Sequence, residues 1–126
     1  MEILILGGTG AMGVPLVKLL SKDNKLYVTS RSKKENKENI TYIQGNAKDS
    51  EFFSSLMNRK YDSIIDFMVY GTEELKKRLP ILLDHTNQYF FFSSSRCYAD
   101  SSTRITEDSP RLVDVCNDPE YLSIDE

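Results

Sequence analysis

The sequence predicts a doubly wound α/β fold, a parallel sheet in the strand order 3-2-1-4-5 with helices packed on it. Three observations carry this expectation. Apolar runs of strand length alternate with segments of helical periodicity over roughly the first 93 residues. The first run, Glu2-Ile-Leu-Ile-Leu6, is almost continuously apolar, as a parallel strand buried on both faces must be. A glycine-rich turn joins it directly to a helical segment, which is how a βαβ unit opens. Right-handed crossovers then give the strand order.

The elements follow in turn. After Glu2–Leu6 comes Gly7-Gly-Thr-Gly-Ala-Met-Gly13, then a helix over 14–21 with Leu16, Val17 and Leu20 on its apolar face. Pro15 is tolerated there because first-turn N–H groups have no intrahelical partner. Residues 25–30 form a second strand by their β-branched and aromatic content. Residues 31–39 hold no apolar side chain, so they form an open polar connection instead of a packed helix. Ile40–Gln44 is the third strand. Asp49 or Ser50 caps a helix carrying Phe52, Phe53, Leu56 and Met57. Residues 63–69 are a fourth strand. Thr72 caps a helix with Glu73 and Glu74 in its first turn, Leu75, Leu79, Leu82 and Leu83 inward, and a kink at Pro80. Residues 88–93 are a fifth strand, and Tyr89–Phe92 is expected to be core. Residues 99–126 carry eight acidic and two basic side chains without periodicity, so the domain is placed at 1–98 and an acidic loop or incomplete segment at 99–126.

Composition narrows the function. The chain has 126 residues, 40% hydrophobic and 28% charged, with a net charge of −3. These are the proportions of a globular protein. No apolar run is long enough for a transmembrane helix, and MEILILGG has neither the basic region nor the length of a signal peptide. Cys97 and Cys116 have no CxxC or Cys/His companions, so neither a disulfide framework nor a metal site is expected. A reduced, cytoplasmic protein is the simplest expectation. Lys33, Lys34 and Lys37 are the one basic cluster, and Glu35 and Glu38 interrupt it, which argues against nucleic-acid binding.

The spacing Gly7, Gly10, Gly13 is the most informative motif. A pyrophosphate needs backbone N–H groups at a helix N-terminus, where the dipole favours negative charge. The first glycine makes the turn, the second leaves room for phosphate, and the third permits close packing. No Gly-Lys-Ser/Thr follows, so this is not a P-loop. Placed between a strand and a helix, it predicts a dinucleotide site of Rossmann type.

Leu6-Gly-Gly-Thr-Gly-Ala-Met-Gly13 resembles the cofactor loop of the short-chain dehydrogenase/reductase superfamily, and most of all its extended branch, the NAD-dependent epimerase/dehydratase family. Three later stretches resemble that family in order. Gly45-Asn-Ala-Lys-Asp49 is similar to its adenine-bordering segment, Asp62–Val69 to its fourth strand, and Phe91-Phe-Ser-Ser-Ser-Arg-Cys-Tyr-Ala99 to its fifth-strand motif. The resemblance implies that Gly7, Thr9, Gly10, Ala11, Met12, Gly13, Asn46, Ala47, Met68 and Ser93 border the cofactor, and that Ser94 is the active-site hydroxyl. It also implies a complete protein that is an epimerase, dehydratase or reductase, with a nucleotide-linked sugar as substrate. The chain departs from the family at Asn46, where an Asp is usual, and at Met68-Val69-Tyr70, where small residues are common. The family's Tyr-x-x-x-Lys pair is absent, since Tyr121 is followed four residues on by Asp125. The chain is therefore expected to be truncated before the last strands and inactive alone. The alternative is a non-catalytic module that senses NADP.

Cofactor choice turns on the second strand's end. Thr29-Ser30-Arg31-Ser32 offers no acid to accept from a ribose 2′-OH, and Arg31 suits a 2′-phosphate. NADP is expected in preference to NAD, against the plainer reading that Arg31 only opens a basic loop. Among smaller signals, His85 is read as a helix C-terminal residue and Asp66 as a hydrogen-bonded strand carboxylate near the cleft. Arg96 is read equally as meeting a substrate phosphate or covering a strand end. If the sheet ends at its fifth strand, that apolar edge invites a homodimer or other self-association.

Overall fold

The structure is a computed structural model, which describes residues 1–93 and 97–119. The chain divides into two units, residues 1–92 and 93–126. In the first unit the order is β1 (Glu2–Leu6), α1 (Gly13–Leu20), β2 (Lys25–Ser30), β3 (Ile40–Gln44), α2 (Ser50–Leu56), β4 (Tyr61–Asp66), α3 (Thr72–Asp84) and β5 (Thr86–Phe91). All four strand pairings are parallel, in the order β3-β2-β1-β4-β5. This is the Rossmann-like α/β fold expected from the sequence.

The sheet separates two apolar layers because alternate residues of each strand point to opposite faces. On one face Leu4, Leu6, Tyr27 and Ile64 meet Phe53 and Leu56 of α2 and Leu82 of α3. On the other, Ile3, Ile5, Leu26, Val28 and Ile65 meet Val17 of α1, with Leu16 and Leu20 alongside. The central strand β1 is buried from Ile3 to Leu6. The polar connection 31–39 forms no helix and is exposed throughout, as its lack of apolar side chains requires.

Four details differ from the sequence reading. β4 starts and stops earlier than 63–69, and β5 covers Thr86–Phe91 instead of 88–93. Helix α3 is capped at Gly71, with Thr72 already helical; Pro80 lies inside it, where the sequence places it. Its buried positions are Arg78 and Leu82, whereas Leu83 is exposed. Phe90, Phe91 and Phe92, expected in the core, are each more than 40% exposed. Phe90 and Phe91 end β5 and Phe92 follows it, at the sheet's edge, where no strand among the described residues lies on the outer flank.

In the second unit Tyr98 bridges Arg111, and Ala99 N–H donates to Pro110 O at 2.9 Å. A short helix α4 (Leu112–Val115) follows, and Arg111 forms a two-pronged pair with Asp114 at 2.8 Å. No helix among the described residues is long and apolar enough to cross a membrane.

Candidate functional site

A cavity of about 520 Å³ opens at the C-terminal ends of β1 to β4. In an open parallel sheet the chain leaves the central strands in opposite directions here, and the diverging loops leave a crevice. The glycine turn, the end of β2, residues 45–48 and residues 67–68 form its walls.

Each glycine of the turn has a distinct role. Gly7 sits at φ +73, a left-handed conformation that L side chains rarely adopt. A Cβ on Gly10 would meet only Gly7 O, at 4.0 Å, so the space above it is open to a ligand. A Cβ on Gly13 would lie 2.5 Å from the Gly8 backbone. That contact lets the start of α1 close onto the turn. Gly7 N–H is already engaged, donating to Thr29 Oγ1 at 2.9 Å, which ties the turn to β2.

Seven of the residues singled out by sequence meet in this cavity: Gly7, Thr9, Gly10, Arg31, Asn46, Ala47 and Met68. Ala11 and Met12 are exposed on the turn and do not line the cavity, and Gly13 is buried against Gly8. Ser93 belongs to the second unit and is exposed. Ser94 and Arg96 lie outside the described residues, as do Tyr121 and Asp125.

The structure adds residues that sequence reasoning missed. Thr29, Ser30, Gly45, Lys48 and Phe67 also line the cavity. Lys48 was visible as the fourth residue of Gly45-Asn-Ala-Lys-Asp49, where its charge is the signal. With Arg31 it puts two cations on a lining that contains no carboxylate. Asn46 turns its side chain inward along the chain, its Oδ1 accepting from Lys48 N–H at 3.1 Å. Arg78 supports the loop from behind, donating to Ala47 O at 2.7 Å and to Lys48 O.

Asp66, the last residue of β4, precedes the cavity residues Phe67 and Met68 and does not itself line the cavity. It is fully buried, and its oxygens accept from Met68 N–H at 2.8 Å, Tyr70 O–H at 3.0 Å and Tyr89 O–H at 2.9 Å. Burial pushes its pKa up, while the hydrogen bonds from Met68, Tyr89 and Tyr70 oppose that shift. The same burial, together with the neighbouring carboxylate, pushes the Tyr70 and Tyr89 hydroxyls well above their ordinary range. Those hydroxyls are donors here, not bases. His85 ends α3, with Nδ1 2.7 Å from Ile81 O, which is the structural role its position implied.

The chain matches no protein-family model and no curated protein. Solved structures share its fold. A short chain dehydrogenase family protein from Francisella tularensis subsp. tularensis SCHU S4 matches with a TM-score of 0.61 at 15% identity, over 80% of this chain and 54% of that one. A mutated uronate dehydrogenase gives 0.69 at 15%, over 87% and 46%. A UDP-N-acetylglucosamine 4-epimerase from Methanobrevibacter ruminantium M1 gives 0.68 at 20%, over 88% and 44%. A methyltransferase of the mycinamycin pathway, solved with SAH, also matches at 0.54 and 21%, over 68% and 25%. The chain thus spans about half the length of the dehydrogenases and the epimerase. At these identities the likeness shows the fold alone, a Rossmann-like α/β module.

Proposed function

We propose that this chain binds a dinucleotide in the cavity at the ends of β1 to β4, with NADP preferred over NAD, and supplies the cofactor half of an epimerase-, dehydratase- or reductase-type oxidoreductase. The observation that carries this is the pairing of an open glycine turn at Gly10 with two cations, Arg31 and Lys48, on one acid-free lining. The turn's open backbone suits a pyrophosphate, and a second anionic group would meet Arg31 and Lys48. The cavity thus fits a dinucleotide bearing a 2′-phosphate better than one whose 2′-OH needs a carboxylate partner.

In the whole protein the substrate would be a nucleotide-linked sugar, and Ser94 would bond its oxygen. Bound NADP would supply the hydride acceptor. The described residues hold and orient the dinucleotide, and the sequence contains no Tyr with a Lys four residues on to move the proton. We place the protein in the cytoplasm. Calorimetric titration of the 126-residue chain tests the binding claim: NADPH should bind more tightly than NADH. Equal affinities, or tighter binding of SAH than of either dinucleotide, overturn it.

A further inference from the structure

Among the described residues, Asp66 and Arg78 are the two charged side chains in the buried set. Burying a cation is costly unless it is paired and hydrogen-bonded. Arg78 meets that need mainly by bonding a loop. One arm of its guanidinium donates to Ala47 O at 2.7 Å. The other donates to Lys48 O and pairs with Glu74 Oε1 at 3.1 Å. Its Cζ lies 4.5 Å from the Phe53 ring centre and 5.3 Å from that of Tyr70.

Tyr70 carries the connection onward. Its O–H donates to Asp66 Oδ2, and Asp66 Oδ1 accepts from Met68 N–H. A continuous chain of contacts therefore runs from Ala47 O through Arg78, Tyr70 and Asp66 to the backbone of Met68. Ala47 and Met68 both line the cavity, one after β3 and the other after β4. In the sheet those two strands are separated by β2 and β1, so the ladder does not join them directly.

We propose that Arg78 is a positioning residue that ties these two walls into one unit and fixes where Lys48 presents its cation, thereby setting the preference for a 2′-phosphate. This rests on the dinucleotide reading above. A planar guanidinium reaches two successive carbonyls at once, which a lysine ammonium in the same place does not reproduce. Loss of the fork frees the 47–48 backbone and displaces Lys48. Arg31, on the separate β2 connection, stays where it is.

The test uses NADPH and NADH as probes on the 126-residue chain and three variants: Arg78→Lys, Tyr70→Phe and the double variant. Tyr70→Phe keeps the ring and removes only the hydroxyl, so it remains informative if Arg78→Lys does not fold. Arg78→Lys should lower the NADPH-to-NADH affinity ratio, and the two substitutions should be coupled by about threefold or more in NADPH affinity. A purely structural role would weaken both cofactors equally and leave the ratio unchanged, which overturns the proposal. So do single effects that simply multiply in the double variant. Hydrogen exchange on residues 45–49 and 67–69 reads the linkage without a ligand. Either variant should speed exchange in both segments, and an effect confined to one wall overturns the linkage. If the unsubstituted chain binds neither dinucleotide, the dinucleotide reading falls, while the exchange measurement still decides the linkage.

Discussion

Arg31 and Lys48 are both exposed, so their side chains enter the cavity as solvated cations instead of as members of a buried pair. Their contribution is therefore selective and salt-sensitive. A charge-assisted hydrogen bond to a phosphate contributes about 1.5–3 kcal/mol when well formed. Arg31→Ala is expected to weaken NADPH by about tenfold or more and to leave NADH nearly unchanged, as titration of both cofactors will show. Asp66 acts on stability, and its sign is opposite to that of a salt-bridged acid. Its folded-state pKa lies above the ordinary value, so the folded state binds the proton more tightly than the unfolded chain does. The stabilisation associated with this proton is complete below the ordinary carboxylate pKa and is lost as pH rises through the raised value. Asp66→Asn retains an acceptor for Met68 N–H and removes the titration. The stability of the natural chain relative to this variant, from urea unfolding, should therefore decline between acid and neutral pH. A flat difference would show that Asp66 does not titrate in that way.

At the scale of elements, α2 shows how local chemistry starts a helix in the right place. Asp49 is extended at φ −69, ψ 133, and its Oδ1 accepts from Phe52 N–H at 2.9 Å. That bond satisfies one of the N–H groups a helix leaves unpaired at its start. Asp49→Ala should cost about 1 kcal/mol in chemical unfolding, within the range usual for caps. The same locality explains what was legible in the sequence. β1, the glycine turn, α1 and the α2 cap are specified by residues within a few positions of one another; they stand where the sequence places them, α1 to within one residue and the cap at Asp49, one of the two candidates, Asp49 and Ser50. Arg78 was not legible. On a helix whose sequence reads Glu-Glu-Leu-Lys-Lys-Arg it is indistinguishable from a solvated cation, and its partners lie some thirty residues away. The Tyr89–Phe92 run misled for a related reason. Apolar character marks a segment as able to be buried, but burial depends on a neighbour, and among the described residues β5 has a strand only on the β4 side. Most of the cleft was legible because its walls are the loops that end successive strands. Lys48 and Phe67 were passed over because each stands inside a recognised stretch, Gly45–Asp49 and Asp62–Val69, at a position that the resemblance leaves open.

Considered as a whole, the sheet has two edges, and the chain treats them differently. At β3 the polar connection folds back over the edge: Asn36 Oδ1 accepts from Tyr42 N–H at 2.8 Å, and Lys37 and Ile40 exchange backbone bonds at 2.9 and 3.1 Å. At β5 the Thr86 hydroxyl covers only Gln88, donating to its C=O at 2.9 Å and accepting from its N–H at 3.3 Å. The remainder, Tyr89-Phe-Phe, carries no charge, proline or bulge, the usual devices that keep an edge from pairing. Phe90 and Phe92 also face a groove of about 380 Å³ beside Leu16 and Leu20 of α1, whose lining includes the buried hydroxyl of Ser63, without a hydrogen-bond partner among the described residues. An unprotected apolar edge pairs most simply with a copy of itself, because antiparallel alignment across a two-fold axis opposes no like charges on this strand. The 126-residue chain is therefore expected to self-associate through β5, with a dimer the smallest product. Phe90→Lys puts two ammonium groups near each other in such a pair and charges the edge. It should shift the sedimentation profile to monomer while leaving NADPH affinity unchanged, since Phe90 does not line the dinucleotide cavity. A natural chain that sediments as a monomer across the accessible concentration range, or a Phe90→Lys variant that associates as strongly as the natural chain, would remove β5 as the contact.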